Sequence, residues 1–193
     1  HISARMSSLD LQDRAGLPEP LRLLLDTHPR ESWQAHPDFH GLVSFWLERH
    51  MMFRQLMTHM GRETEAFLDG SREAQGFAQG VARYGGLFVN QLHGHHQIED
   101  HHYFPLLRQK DARIERGFDL LDADHHALDG ILNRFVEQAN GAIQGASGPD
   151  PKAGAGALRD GLAELERLIG RHLDDEEDLI VPVILIHGAD GLG

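Results

Sequence analysis

The sequence contains no cysteine among its 193 residues. That excludes disulfides, zinc fingers, cysteine-ligated iron–sulfur clusters and thiol catalysis. Positive charge is also short: 18 Lys+Arg stand against 30 Asp+Glu, a formal charge of −12 with His neutral. A non-specific nucleic-acid binder, or a binder of anionic membranes, presents a basic face, so neither fits. No apolar run approaches the roughly 18 residues of a membrane span. No charged n-region with an apolar h-region opens the chain, and a cytoplasmic setting is expected. β-branched residues are sparse and nothing alternates with period two, so there is no signal for a sheet. Histidine, by contrast, is abundant: there are 15. No globular fold needs so many, and imidazole is the commonest metal ligand among side chains.

A hydrophobic content of 40% is enough for a sizeable core in one domain. The opening His1-Ile2-Ser3-Ala4-Arg5, ahead of Met6, has the look of a tag remnant. Residues 1–36 read as an N-terminal arm, punctuated by Pro18, Pro20 and Pro29, with a short helix near Leu21 to Leu25. Four long helical segments follow, at about 39–67, 72–109, 111–140 and 157–185. The stretch from Gly141 to Gly156 is rich in Gly, Ala, Pro and Ser and reads as a loop. The expected fold is all-α: an antiparallel up-down-up-down four-helix bundle over 37–187, preceded by the arm and followed by a tail at 188–193.

Stepping three and four residues alternately traces one face of each helix. The first stripe passes Val43, Trp46, His50, Phe53, Met57 and Met60. The second passes Val81, Gly85, Phe88, Leu92, His95, Glu99, His102 and Leu106. The third passes Leu121, His125, Leu128, Leu132 and Phe135. The fourth passes Leu158, Leu162, Leu165, Ile169, His172, Glu176, Leu179 and Val183. Every core stripe carries a histidine, and two carry a glutamate one turn later. A buried ionised carboxylate without a partner is strongly unfavourable. These groups must meet one another, or a cation, inside the bundle. At about 1.5 Å rise per residue the four helices can bring them to one layer.

Two segments share a pattern. His95 to Asp100 and His172 to Glu177 both read His-x-x-x-Glu-acid, each with a proline six residues after the glutamate, Pro105 and Pro182. Residues i and i+4 lie one above the other on a helix, so each pair can offer one imidazole and one carboxylate. With His50 and His125 the set exceeds the four ligands of a structural zinc site. Mixed imidazole and carboxylate ligation suits iron, manganese or zinc. His102 with Glu99 forms Glu-x-x-His, but ferritin-like sites need that motif twice, and Leu179 stands where the second histidine would be.

On Trp46 to His50 with Arg54, His95 to Pro105, Asp124-His125 with Leu128, and His172 to Pro182, the chain resembles the hemerythrin-like family, the HHE cation-binding domain. The resemblance covers about residues 37–187. It implies a four-helix bundle holding a non-haem diiron centre, two iron ions per chain with an oxo or hydroxo bridge. It implies His50, His95, His125 and His172 as terminal ligands and Glu99 and Glu176 as bridging carboxylates. Animal hemerythrin has a second third-helix histidine where this chain has Asp129. His96 is the candidate to substitute, since iron-sensing relatives carry an extra ligand immediately after the preceding histidine; His102, or no fifth imidazole, are the alternatives.

The function expected is binding of, or reaction with, O2, peroxide (H2O2) or NO; a binding-only role and a catalase- or peroxidase-like role need the same ligands, and the sequence does not separate them. The alternative is a metal-dependent regulatory or iron-sensing module without catalysis; a third class is a structural zinc bundle. No nucleic acid or membrane partner is expected. His59, His93, His101, His126 and His187 are expected at the surface, as are Asp174, Asp175 and Asp178. The methionines near residue 55 and Trp46, Phe53 and Phe88 are expected in the core, with Tyr103 a candidate hydroxyl beside the site.

Overall fold

The computed structural model describes residues 9–192. The expected tag remnant at 1–5 lies outside the described residues, as does Gly193 of the tail. Among the described residues all regular structure is helical and there is no strand. After a 3-10 turn at Glu19–Arg22 come two short helices, α1 (Leu23–Thr27) and α2 (Arg30–Trp33). The long helices are α3 (Leu42–Leu68), α4 (Ala74–Ile98), α6 (Glu115–Ala146) and α7 (Ala155–His187). Between α4 and α6 lie a π-helical segment, Glu99–Tyr103, and the short α5 (Phe104–Arg108). No helix among the described residues is long and apolar enough to cross a membrane.

Gly70 closes α3 with φ near +81°, a conformation in which a Cβ would be strained. Its N–H donates to the Phe67 carbonyl at 3.1 Å, and the Ser71 N–H to the Ala66 carbonyl at 2.8 Å. This pair of bonds is the Schellman ending. Two boundaries differ from expectation. Helix α6 runs six residues past Asn140 to Ala146, through Gly141 and Gly145, and α7 begins at Ala155, so the expected loop shrinks to 147–154. Glycine is costly in a helix, by about 1 kcal/mol each, but not prohibitive, and Ala142 and Ala146 are buried.

The chain forms two compact units. Of the described residues, 9–51, 95–127 and 171–192 make up unit 1, and 52–94 and 128–170 make up unit 2. Unit 2 has an apolar core that includes Phe53, Met57, Phe77, Phe88, Phe135, Leu158 and Ile169. Phe88 lies between Phe53 and Phe135 in edge-on contacts, with ring centroids 6.2 and 6.1 Å away. Met51, expected in the core, is half exposed.

Unit 1 has an apolar cluster in which the N-terminal segment takes part. Leu17, Leu21, Leu24, Leu25 and Trp33 pack with Val43, Trp46, Phe104, Leu107, Phe118, Leu179, Ile180 and Ile184. Leu192, near the C-terminus, belongs to the same cluster. Unit 1 also buries a dense set of polar side chains.

Candidate metal centre

His50 on α3, His95 and His96 on α4, His125 on α6 and His172 and Glu176 on α7 all reach the interior of unit 1, together with Glu99 at the start of the π segment. The structure thus brings together the seven side chains expected there. They form two groups, His50–His95–Glu99–Glu176 and His96–Glu99–His125–His172, and in each group ligand-type atoms lie within 4.8 Å of one another.

The two glutamates span both groups. Glu99 turns Oε2 toward His95 Nε2 at 3.0 Å and Oε1 toward His125 Nε2 at 3.3 Å. Glu176 turns Oε1 toward His50 Nε2 at 3.1 Å and Oε2 toward His172 Nε2 at 3.2 Å. The indole N–H of Trp46 donates to Glu176 Oε1 at 2.8 Å.

Three of the rings are held from behind by a carboxylate. His50 Nδ1 meets Glu177 Oε2 at 2.7 Å, His125 Nδ1 meets Asp100 Oδ1 at 2.8 Å, and His172 Nδ1 meets Asp124 Oδ2 at 2.9 Å. An ionised carboxylate only accepts, so each Nδ1 carries the proton, and Nε2 of the neutral ring is a bare lone pair. Each Nε2 then faces a glutamate oxygen, acceptor against acceptor at little over 3 Å. Such contacts are tolerable if a ring takes a second proton or a cation lies between. Carboxylate–histidine–metal triads are the usual outer arrangement of a metal site.

Among the described residues, six buried atoms have no hydrogen-bond partner: His96 Nε2, both Glu99 oxygens, His125 Nε2, His172 Nε2 and Glu176 Oε2. Leaving one such group unsatisfied costs about 1–3 kcal/mol. Six together rival the whole stability of a domain, about 5–15 kcal/mol. All six are the atoms that would point at a cation, so the donor set fits one.

The electrostatics agree. Burial, and then the nearby Glu176, push the Glu99 carboxyl well above its ordinary range. Glu176 goes the other way: burial opposes its charge, but its neighbours Glu99, His50 and His172 hold it well below. Without a cation the pair shares one proton, because two adjacent carboxylates do not both ionise. Burial and the neighbouring His125 and His172 push His96 well below the ordinary imidazole value, which leaves it neutral with its lone pair available. Burial works against charge on His172, but Asp124 and Glu176 outweigh it and raise its pKa.

The π segment resets the register of the chain after Glu99. The Phe104 N–H donates to the Glu99 carbonyl, five residues back. Pro105 has no N–H to continue an α-helical ladder. The extra residue in the turn shifts the inward face, so that Phe104 and Leu107 are buried where His102 and Leu106 were expected. His102 is exposed, and its ring Nε2 lies 2.9 Å from the Leu192 carbonyl. Pro182 occupies the corresponding place in the second copy, yet α7 passes through it as an α-helix.

Asp129 and His126 are exposed and stand away from the centre, as do His59, His93 and His101. Asp175 corrects an expectation: it is fully buried, bonded to Arg14 at 2.7 Å and to Arg171 at 2.7 Å. Glu177, Asp124 and Asp100 were not expected to hold the rings. An acidic residue next to a ligand-type residue is the sequence signal for all three, since Asp100 follows Glu99, Asp124 precedes His125 and Glu177 follows Glu176.

A cavity of about 290 Å³ reaches the centre from the surface. Its walls are Leu42, Phe45, Trp46, Arg49, Ile98 and Tyr103, and His95 and Glu99 lie at the inner end. Tyr103 packs on Trp46 at 5.0 Å between ring centroids.

The family model described as the hemerythrin HHE cation binding domain matches residues 41–184. No curated protein and no solved structure matches the chain.

Proposed function

The chain belongs to the hemerythrin HHE cation-binding domain family, and we propose that unit 1 holds two iron ions and that the pair binds or reacts with O2, peroxide or NO. His50 and His95 would hold one ion and His96, His125 and His172 the other, with Glu99 and Glu176 offering a carboxylate to both. The observation that carries this is the division of each glutamate, one oxygen toward each set of imidazoles. Iron, when bound, supplies the open coordination and the electrons that a small oxidant needs.

The chain's own residues do the rest. Glu177, Asp100 and Asp124 fix the tautomer and the aim of His50, His125 and His172. Trp46 orients Glu176 through its indole N–H. The apolar walls of the cavity admit a small molecule to the His95 side and limit the water around it. Its volume, about ten times the 30 Å³ share of a liquid water, leaves ample room for a diatomic or a peroxide.

We further propose that the four long helices run antiparallel in succession. In support, unit 1 takes the N-terminal end of α3, the C-terminal end of α4, the N-terminal end of α6 and the C-terminal end of α7.

The test is metal analysis after anaerobic loading with ferrous iron. About two irons per chain are expected, and Glu99→Ala and Glu176→Ala should each lose the pair. One iron per chain in the fully loaded protein would defeat the proposal. Steady oxygen release from added peroxide would mark an enzyme; an oxygenated spectrum that reverses under vacuum would mark a carrier or sensor.

A further inference from the structure

We propose that Arg14 and Arg30, in the N-terminal segment, are positioning residues of the metal centre: each holds the carboxylate that in turn holds a histidine. Their role rests on unit 1 being the iron site. Both arginines precede residue 41, where the match to the cation-binding domain begins.

Arg14 is buried, with 2% of its side chain exposed. Its two terminal nitrogens donate to the two oxygens of Asp124 at 3.0 and 2.5 Å. Its Nε donates to Asp175 Oδ2 at 2.7 Å. Asp124 Oδ2 is the atom that accepts from His172 Nδ1. Arg30 repeats the arrangement on the other group. Its Nη1 donates to Glu177 Oε1 at 3.1 Å and its Nε to Asp178 Oδ1 at 2.7 Å, while Glu177 Oε2 accepts from His50 Nδ1. Each histidine group therefore has one ring tied to the N-terminal segment through a carboxylate. The third outer carboxylate, Asp100, is partly exposed.

The chemistry follows from the fork geometry of guanidinium, which locks a carboxylate in plane. A fixed Asp124 accepts from His172 Nδ1 and so aims the Nε2 lone pair inward. Without Arg14, Asp124 loses the two bonds that fix its plane and is free to turn away from His172. Arg30 is 42% exposed, so solvent can replace it in part and its effect is smaller. By reciprocity, iron at His172 tightens Asp124 and so holds the segment that carries Arg14.

The experiment measures ferrous iron affinity by competition with a chelator, with far-UV circular dichroism on each protein. Arg14→Met should lower affinity about 10–100-fold, as loss of an outer partner does. Arg14→Lys, which keeps the charge without the fork, should fall between. On an Asp124→Asn background, Arg14→Met should add almost nothing, because the path runs through Asp124. Arg167→Met, an exposed arginine paired with Glu164, should change nothing. Iron should also slow tryptic cleavage after Arg14. Wild-type affinity in Arg14→Met, or an equal loss on both backgrounds, overturns the proposal. If Arg14→Met does not fold, Arg14→Lys decides: helical with wild-type affinity overturns it, helical with weakened affinity upholds it. A wild type that takes up no iron at all would instead defeat the reading of the centre itself, an outcome distinguishable because no variant enters into it.

Discussion

The core of unit 2 and the core of unit 1 are made from the same four long helices with the same 3.6-residue period, and they differ in kind. In unit 2 the buried polar side chain among the described residues is Thr64, whose hydroxyl is satisfied by the Met60 carbonyl at 2.7 Å. In unit 1 the buried set includes Arg14, His50, His95, His96, Glu99, Asp124, His125, His172, Asp175, Glu176 and Glu177. An apolar core needs nothing from outside, since burial alone supplies about 25 cal/mol per Å². A polar core is stable only when every member is paired, and the six orphaned atoms of unit 1 show where the protein's own groups run out. Stability without a ligand belongs to the first kind of core and chemistry to the second.

Damage to the apolar core should have the largest effect. Phe88 is fully buried between Phe53 and Phe135. Phe88→Ala should cost about 3–5 kcal/mol, or about 6–20 °C in melting temperature for a chain of this size. The loss should be the same in metal-free and iron-loaded protein, because no group that faces the cation changes. A drop that iron abolishes would show that the apolar core does not stand by itself.

Metal loading tests the other half. Binding to the folded state alone should add about 2.7 kcal/mol at a hundredfold excess over the dissociation constant. Both tryptophans of the chain, Trp33 and Trp46, are in unit 1, so tryptophan fluorescence reports on that unit. Trp46 donates to Glu176 Oε1, so its emission should shift when Glu176 changes from sharing a proton with Glu99 to facing a cation. An unchanged melting curve and an unchanged spectrum, with iron shown to be bound, would place the ions elsewhere than among these side chains.

The difference between the cores also governs what was legible in the sequence. Apolar stripes with in-line histidines led to the right helices and to the side chains that cluster, because i, i+4 spacing is a local property of one helix. The outer shell was not legible. Asp175 sits in an acidic run that reads as solvated, and it is buried because Arg14 arrives from 161 residues away in sequence. The π segment was missed for a different reason. Pro105 and Pro182 occupy matching places, yet only the first is accompanied by a wide turn, so the surroundings, and not the motif, decide. That turn moved His102 off the inward face on which a strict 3.6 period had placed it.

The smallest expected effects fall on the histidines that the comparison leaves outside the polar core. His126 has 79% of its side chain exposed and lies 3.8 Å from Asp122, an open surface pair. His102 is exposed and touches the Leu192 carbonyl and the edge of Tyr103. His126→Ala and His102→Ala should each stay within about 0.5 kcal/mol of the parent, as surface substitutions do, and should bind iron as the parent does. His125→Ala and His96→Ala, one residue away from His126 and three residues before Glu99, should weaken binding. The contrast at adjacent positions is demanding, since a helix turns about 100° per residue and a register error of one would exchange the outcomes. The measurement is iron affinity on the four single variants side by side. If His102→Ala weakened binding as His96→Ala does, then the segment after Glu99 would continue as a regular α-helix in solution, His102 would face the ions, and the wide turn would not be what separates the buried imidazoles from the exposed one.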